Sequence, residues 1–193
     1  MSFLDELKKR KNKLKVTETV VTNADGQRFI EKGETKEAIA PNTYGFIVDT
    51  KPDDIPALIA EFLYIGSQDC TSSRVLQSYN IKNVLSLGIN LNIEENINHK
   101  FVECLDLPET DIKAVLKESL PFINNAIDRK ENILIHCNAG VSRTSTVAIA
   151  YLMQYKSMNF DEAYNLVKEI RPAIQPNAGF KRQLKNMNPG EVI

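Results

Sequence analysis

A cysteine and an arginine stand six residues apart in HCNAGVSRT, residues 136–144. The residues between them, Asn138, Ala139, Gly140, Val141 and Ser142, are uncharged and small to medium in size. The run NILIHC (132–137) reads as a buried strand, and the nearly all-apolar TSTVAIAYLM (144–153) as an enclosed helix. A tight turn from a strand into a helix start points several backbone N–H groups into one hollow. The positive end of the helix dipole adds to the pull on an anion. Arg143 brings a planar, permanently charged grip on two oxygens. Such a hollow suits phosphate, sulfate or arsenate. The field that draws an anion also stabilises a thiolate, so Cys137 at its base is expected to be ionised and nucleophilic. Phosphoryl transfer needs positioning and charge stabilisation more than covalent help. Arg143 and the loop amides are placed to supply what Mg²⁺ supplies in kinases.

The elements that must carry this loop alternate along the chain. EFLYIGS (61–67), IKNVLSLG (81–88) and KFVECLDL (100–107) read as strands, and residues 69–79 as a short helix. From Asp111, the residues Ile112, Val115, Leu116, Leu120, Ile123 and Ile127 keep a helical period, with a kink expected at Pro121. Asn159 and Glu162 make a capping-box start for FDEAYNLVKEI. Asn177 opens a last short helix through about Met187. Alternation of this kind predicts an α/β domain with a central mixed sheet flanked by helices, placed at residues 53–193. Residues 1–52 read as an N-terminal extension. It begins with a short helix capped by Ser2 and carrying Leu4 and Leu7, continues as a hairpin of KVTETVV and QRFIE around NADG, and becomes a linker from Ile39 to Pro56.

The 193 residues suffice for a core that needs neither disulfides nor metals. A net charge of −1 gives no general pull toward nucleic acid or membrane. No apolar run reaches bilayer length, and the N-terminus, with acids first and bases later, does not read as a signal peptide. Three widely spaced cysteines, Cys70, Cys104 and Cys137, argue for reduced thiols and a cytoplasmic or nuclear location. With no CxxC pair and two histidines, His99 and His136, no zinc site or other cofactor is expected.

HCNAGVSRT matches the His-Cys-x5-Arg-Ser/Thr signature of the protein tyrosine phosphatase superfamily. AYLM (150–153) and RPAIQPNAGFKRQL (171–184) resemble the dual-specificity phosphatases. LYIGSQD (63–69) and LDLPET (105–110) resemble the atypical member that regulates the stress-activated protein kinase pathway. The resemblance implies a phosphatase that hydrolyses phosphotyrosine and phosphoserine/phosphothreonine on proteins through a phosphocysteine. It implies Cys137 as nucleophile, Arg143 as phosphate clamp and Thr144 as the hydroxyl that eases thiolate departure. Most members carry Ser at that last position. Asp106, 31 residues before Cys137, falls where the family keeps its general acid, with Glu109 and Asp111 as nearby rivals. His136 resembles the residue that orients the loop, and Asn177 one that supports it besides capping a helix. Cys104 reads as a buried strand cysteine, with a redox partnership to Cys137 as the alternative.

The basic run KKRKNKLKV (8–16) has two readings: a solvated, charged helix end, or a docking motif for a mitogen-activated protein kinase built from Lys8, Lys9, Arg10, Lys11, Leu14 and Val16. The uncharged loop disfavours a lipid or RNA-end phosphatase. A scaffold that grips phosphoproteins with little turnover is the rival from another class.

Overall fold

The computed structural model describes residues 18–22, 28–32, 35–39 and 53–193. The chain divides into two compact units, Met1–Thr43 and Tyr44–Ile193. In the first, β1 (Glu18–Thr22) pairs antiparallel with β2 (Arg28–Lys32), as the hairpin pattern predicts. β2 pairs in turn with β3 (Thr35–Ile39), a third strand that the sequence reading did not anticipate. The Ser2 helix and the basic run 8–16 lie outside the described residues.

The second unit is built on a five-stranded sheet of order β4-β5-β8-β6-β7. Its strands are β4 (Ala57–Ala60), β5 (Leu63–Gly66), β6 (Ile81–Leu87), β7 (Asn98–Val102) and β8 (Asn132–His136). β4 runs antiparallel to β5; every other pairing is parallel. The helices are α1 (Ser73–Ser78), α2 (Ile112–Asp128), α3 (Arg143–Tyr155), α4 (Phe160–Ile170) and α5 (Ala178–Lys185). Period-2 alternation sorts the sheet's side chains. Ile133, Ile135, Leu85 and Leu87 enter the main core with α2, α3, α4 and α5, whereas Val84 and Leu134 meet Val75 and Leu76 of α1 in a smaller one. α3 is buried along all of Thr144–Met153, which makes it the central helix expected of an all-round apolar run. Each fully buried Leu or Ile stabilises by roughly 1.5–3 kcal/mol, so the strand–loop–helix hairpin carrying Cys137 and Arg143 is anchored at both ends.

One expectation needs correcting, the length of the strand at 100–107, and two features add to the reading. Residues 57–60, next to the supposed linker, form an edge strand; it turns into β5 through Phe62, whose φ is +67°. The strand expected over 100–107 spans Asn98–Val102 only, and the chain then leaves the sheet as a loop carrying Cys104 and Asp106. Pro121 lies inside α2, which runs on past it to Asp128. It removes one backbone donor on the solvent side, and one turn earlier the Glu118 carbonyl accepts Lys100 Nζ at 2.9 Å. The capping box at Asn159 and Glu162 is present with both reciprocal bonds.

Candidate active site

The loop from Cys137 to Ser142 joins β8 to α3 at the C-terminal edge of the parallel strands, where α/β sheets place ligands. Its carbonyls can be followed one by one. Cys137 O faces His136 Nδ1 at 3.3 Å. Asn138 O accepts the Gln68 amide at 2.9 Å. Ala139 O and Gly140 O accept Arg171 Nη2 and Nε at 3.5 and 3.2 Å. Val141 O accepts the Gln175 amide at 2.9 Å, and Ser142 O the Thr146 amide at 3.0 Å. Every carbonyl of the loop is thus taken up by the surrounding protein. The amides of residues 138–142 donate to no acceptor in the described protein. Unspent amides in a turn that leads into the start of α3 are the kind of donors an anion-binding nest uses. Gly140 makes the curl possible: its φ is +66°, and a Cβ there would lie 2.5 Å from the Gly66 carbonyl.

Arg143, the first residue of α3, reaches back across the hollow. Its Nη1 donates to Leu87 O at 3.1 Å and to Cys104 O at 3.4 Å. Among the described residues three buried side-chain polar atoms lack a hydrogen-bond partner, and two of them are Arg143 Nε and Thr144 Oγ1. An anchored guanidinium with an idle buried Nε–H is poised for an oxyanion. Thr144 is fully buried, and its idle hydroxyl belongs to the first turn after the cysteine loop.

Asp106 faces this loop. Its Oδ1 accepts Ser142 Oγ–H at 2.7 Å and Asn177 Nδ2–H at 2.8 Å; its Oδ2 lies 3.9 Å from Arg143 Nε. Asn177 also donates its amide to Ser142 Oγ at 3.1 Å and caps α5 through Phe180 N–H at 2.9 Å. The rivals are elsewhere. Asp111 is exposed and caps α2 by accepting the Lys113 amide at 2.9 Å, and Glu109 is exposed. The Asp106 loop is itself tied down. Gln183 of α5 donates to Thr110 O at 2.9 Å and accepts the Ile112 amide at 3.1 Å, and a side-chain carbon at Gly179 would run into the Pro108 backbone.

His136 is fully buried, and burial pushes its imidazole down to about 4. Its Nε2 lies 2.6 Å from Ser86 Oγ, which lies 2.8 Å from Nε2 of the half-buried His99. Burial also pushes the Cys104 thiol up to about 12 and that of Cys70 up to about 11; both stay protonated. All three cysteines are free.

The structure therefore brings together Cys137, Asn138–Ser142, Arg143, Thr144, Asp106, His136 and Asn177. Four contributors went unassigned in the sequence: Gln68 and Gln175, which use backbone amides; Ser86; and Arg171. Arg171 was within reach, because a buried arginine must find acceptors. It finds them in the loop and in Asp53, at 3.2 and 3.0 Å.

Residues 63–189 match the family model described as "Dual specificity phosphatase, catalytic domain". The chain belongs to the dual-specificity phosphatase family. It is 36% identical to a probable dual specificity protein phosphatase of Dictyostelium discoideum, over 96% of each chain. It is 32% identical to dual specificity protein phosphatase 19 of Mus musculus, over 90% of this chain and 83% of the relative. Among solved structures, the human tyrosine phosphatase-like serine/threonine/tyrosine-interacting protein aligns with TM-score 0.64 and 26% identity, over 67% of this chain and 93% of that one. A mouse putative dual specificity phosphatase complexed with zinc tungstate aligns with TM-score 0.65 and 25% identity, over 72% and 89%. As a dual-specificity phosphatase, the chain is an enzyme of the protein tyrosine/serine/threonine phosphatase class.

Proposed function

We propose that this phosphatase works in two steps on phosphorylated proteins of a mitogen-activated or stress-activated kinase pathway. The observation that carries the mechanism is the loop whose carbonyls are all taken up from outside while its amides donate to nothing. A phosphoryl group seated there receives the amides of residues 138–142 and the idle Nε–H of Arg143 on its equatorial oxygens. Cys137 Sγ attacks phosphorus as a thiolate. Asp106 gives its proton to the departing phenol or alkoxide oxygen, leaving a phosphocysteine. Water then attacks the phosphocysteine, Asp106 takes the water's proton, and Cys137 leaves as thiolate with the Thr144 hydroxyl donating to it. Tungstate is a tetrahedral oxyanion, and its presence with the mouse relative supports reading the hollow as a phosphate seat. The pathway assignment rests on the resemblance of LYIGSQD (63–69) and LDLPET (105–110) to the stress-activated pathway regulator, and the basic run 8–16, read as a kinase-docking segment, is compatible with it.

The test is turnover of a small aryl phosphate in EDTA. Wild type is expected to be active, Cys137→Ser inactive, and Asp106→Asn slower by about 10²–10⁴-fold. Well-folded wild type that binds phosphopeptide without turning it over would sink the enzyme and leave a phosphoprotein-binding scaffold. For the pathway, replacing Lys8, Lys9, Arg10 and Lys11 with serine should weaken capture of an activated mitogen-activated protein kinase and leave aryl phosphate turnover unchanged. Unaltered capture refutes the docking reading.

A further inference from the structure

His136, Ser86 and His99 lie on one face of three neighbouring strands. His136 of β8 sits opposite Ser86 of β6, and His99 of β7 sits opposite Val84, two residues from Ser86 on the same face. The two imidazoles approach one hydroxyl, with Ser86 Oγ at 2.6 Å from His136 Nε2 and 2.8 Å from His99 Nε2. A hydroxyl has a single proton, so it donates to one ring and accepts from the other. The Cys137 carbonyl decides the direction, because a carbonyl can only accept. It faces His136 Nδ1 at 3.3 Å, so that nitrogen carries the proton. Neutral His136 then has a bare Nε2 and accepts the Ser86 proton. Ser86 in turn accepts from His99, whose proton must sit on Nε2. The opposite direction sets a nitrogen lone pair against the Cys137 carbonyl inside the protein, leaving both without a donor. Protonating His99 leaves its Nε2–H in place, so the chain of bonds survives a charge at the sheet edge. Protonating His136 removes the acceptor and breaks it.

We propose that Ser86 and His99 are positioning residues: their ordered hydrogen bonds fix the Nδ1–H tautomer of His136, which holds the Cys137 carbonyl turned out of the phosphate hollow. The inference rests on the proposed function only for what the hollow is used for. Its test does not need turnover.

The chain has two histidines, so long-range ¹H–¹⁵N correlations of the imidazoles at neutral pH are readily assigned. Wild type is expected to show Nδ1–H on His136 and Nε2–H on His99. The second readout is alkylation of Cys137 by iodoacetate across pH, with kcat and KM for an aryl phosphate alongside. His99→Leu removes the outer donor and should slow alkylation and kcat roughly fivefold, with KM little changed. Ser86→Ala should act in the same direction. His99→Gln places an amide N–H near the position of Nε2 and should recover wild-type rates to within about twofold. An Nε2–H tautomer at His136 overturns the proposal, whatever the variants do. So does folded His99→Leu alkylating as fast as wild type, or His99→Gln as slow as His99→Leu. If wild type fails to turn over, the function falls while tautomers and alkylation rates still judge the relay.

Discussion

Replacing Arg171 with methionine tests whether the phosphate loop is held open from behind. Methionine keeps the length and apolar stem of a side chain that is 7% exposed, so little cavity forms. It removes the donors to Gly140 O and Ala139 O and the pair with Asp53. Charge-assisted bonds contribute about 1.5–3 kcal/mol each in good geometry, and the 3.2 and 3.5 Å separations here argue for the low end. The Asp53 side chain is 41% exposed, so its ion pair is screened and adds less than about 1 kcal/mol. Arg171→Met should therefore lose about 3 kcal/mol, and Asp53→Asn under about 1 kcal/mol. With a urea slope of about 1–3 kcal/mol/M, the first variant's midpoint drops by roughly 1–3 M. The freed carbonyls can swing their negative ends toward the bound phosphate, so kcat/KM should fall roughly 10²-fold. Urea melts and steady-state kinetics on both variants decide it. Equal stability losses, with kcat/KM unchanged in Arg171→Met, would show that the loop keeps its shape without the guanidinium and would refute the reasoning.

Thr144→Val should leave stability unchanged or raised, because it removes a buried hydroxyl that bonds to nothing, yet kcat should drop about tenfold with a burst of phosphocysteine in stopped flow. His136 gives the acid limb of stability its sign. Its folded pKa lies at about 4 against 6.5 unfolded, so its contribution is full above 6.5 and is lost as pH falls toward 4, by about 3 kcal/mol at most. His136→Asn should flatten denaturation curves over that window. Leu105 and Leu107 flank Asp106 and are 59% and 43% exposed. Changing both to serine should raise KM for phosphoproteins several-fold and leave small aryl phosphates unaffected, in parallel steady-state assays.

The placement of Cys137 and Arg143 on one strand–loop–helix junction was legible because it is local: six residues of chain set the spacing and one junction sets the direction. Asp106 stood out from Glu109 and Asp111 only by spacing, since contact with Ser142 and Asn177 spans 36 and 71 residues. Backbone partners leave no trace in residue type, so Gln68 and Gln175 could not have been found. Ser86 was hidden for a related reason: alternation gives its face, but strand order decides that two histidines flank it. β3 and β4 were missed because each is only five or four residues long and lies within or beside a stretch read as linker.

The loop that carries Asp106 is braced by Asn177, Gln183 and the close approach of α5 before any substrate arrives. Its ordering entropy is settled at folding, not at binding. A catalytic cycle on such a frame does not depend on this loop shutting. If the loop is as fixed as these bonds make it, added viscogen should slow only encounter and release. An acid loop fixed in this way cannot use its own closure to sort its guests. Discrimination then falls to residues outside the phosphate seat and to whatever tethers the substrate nearby.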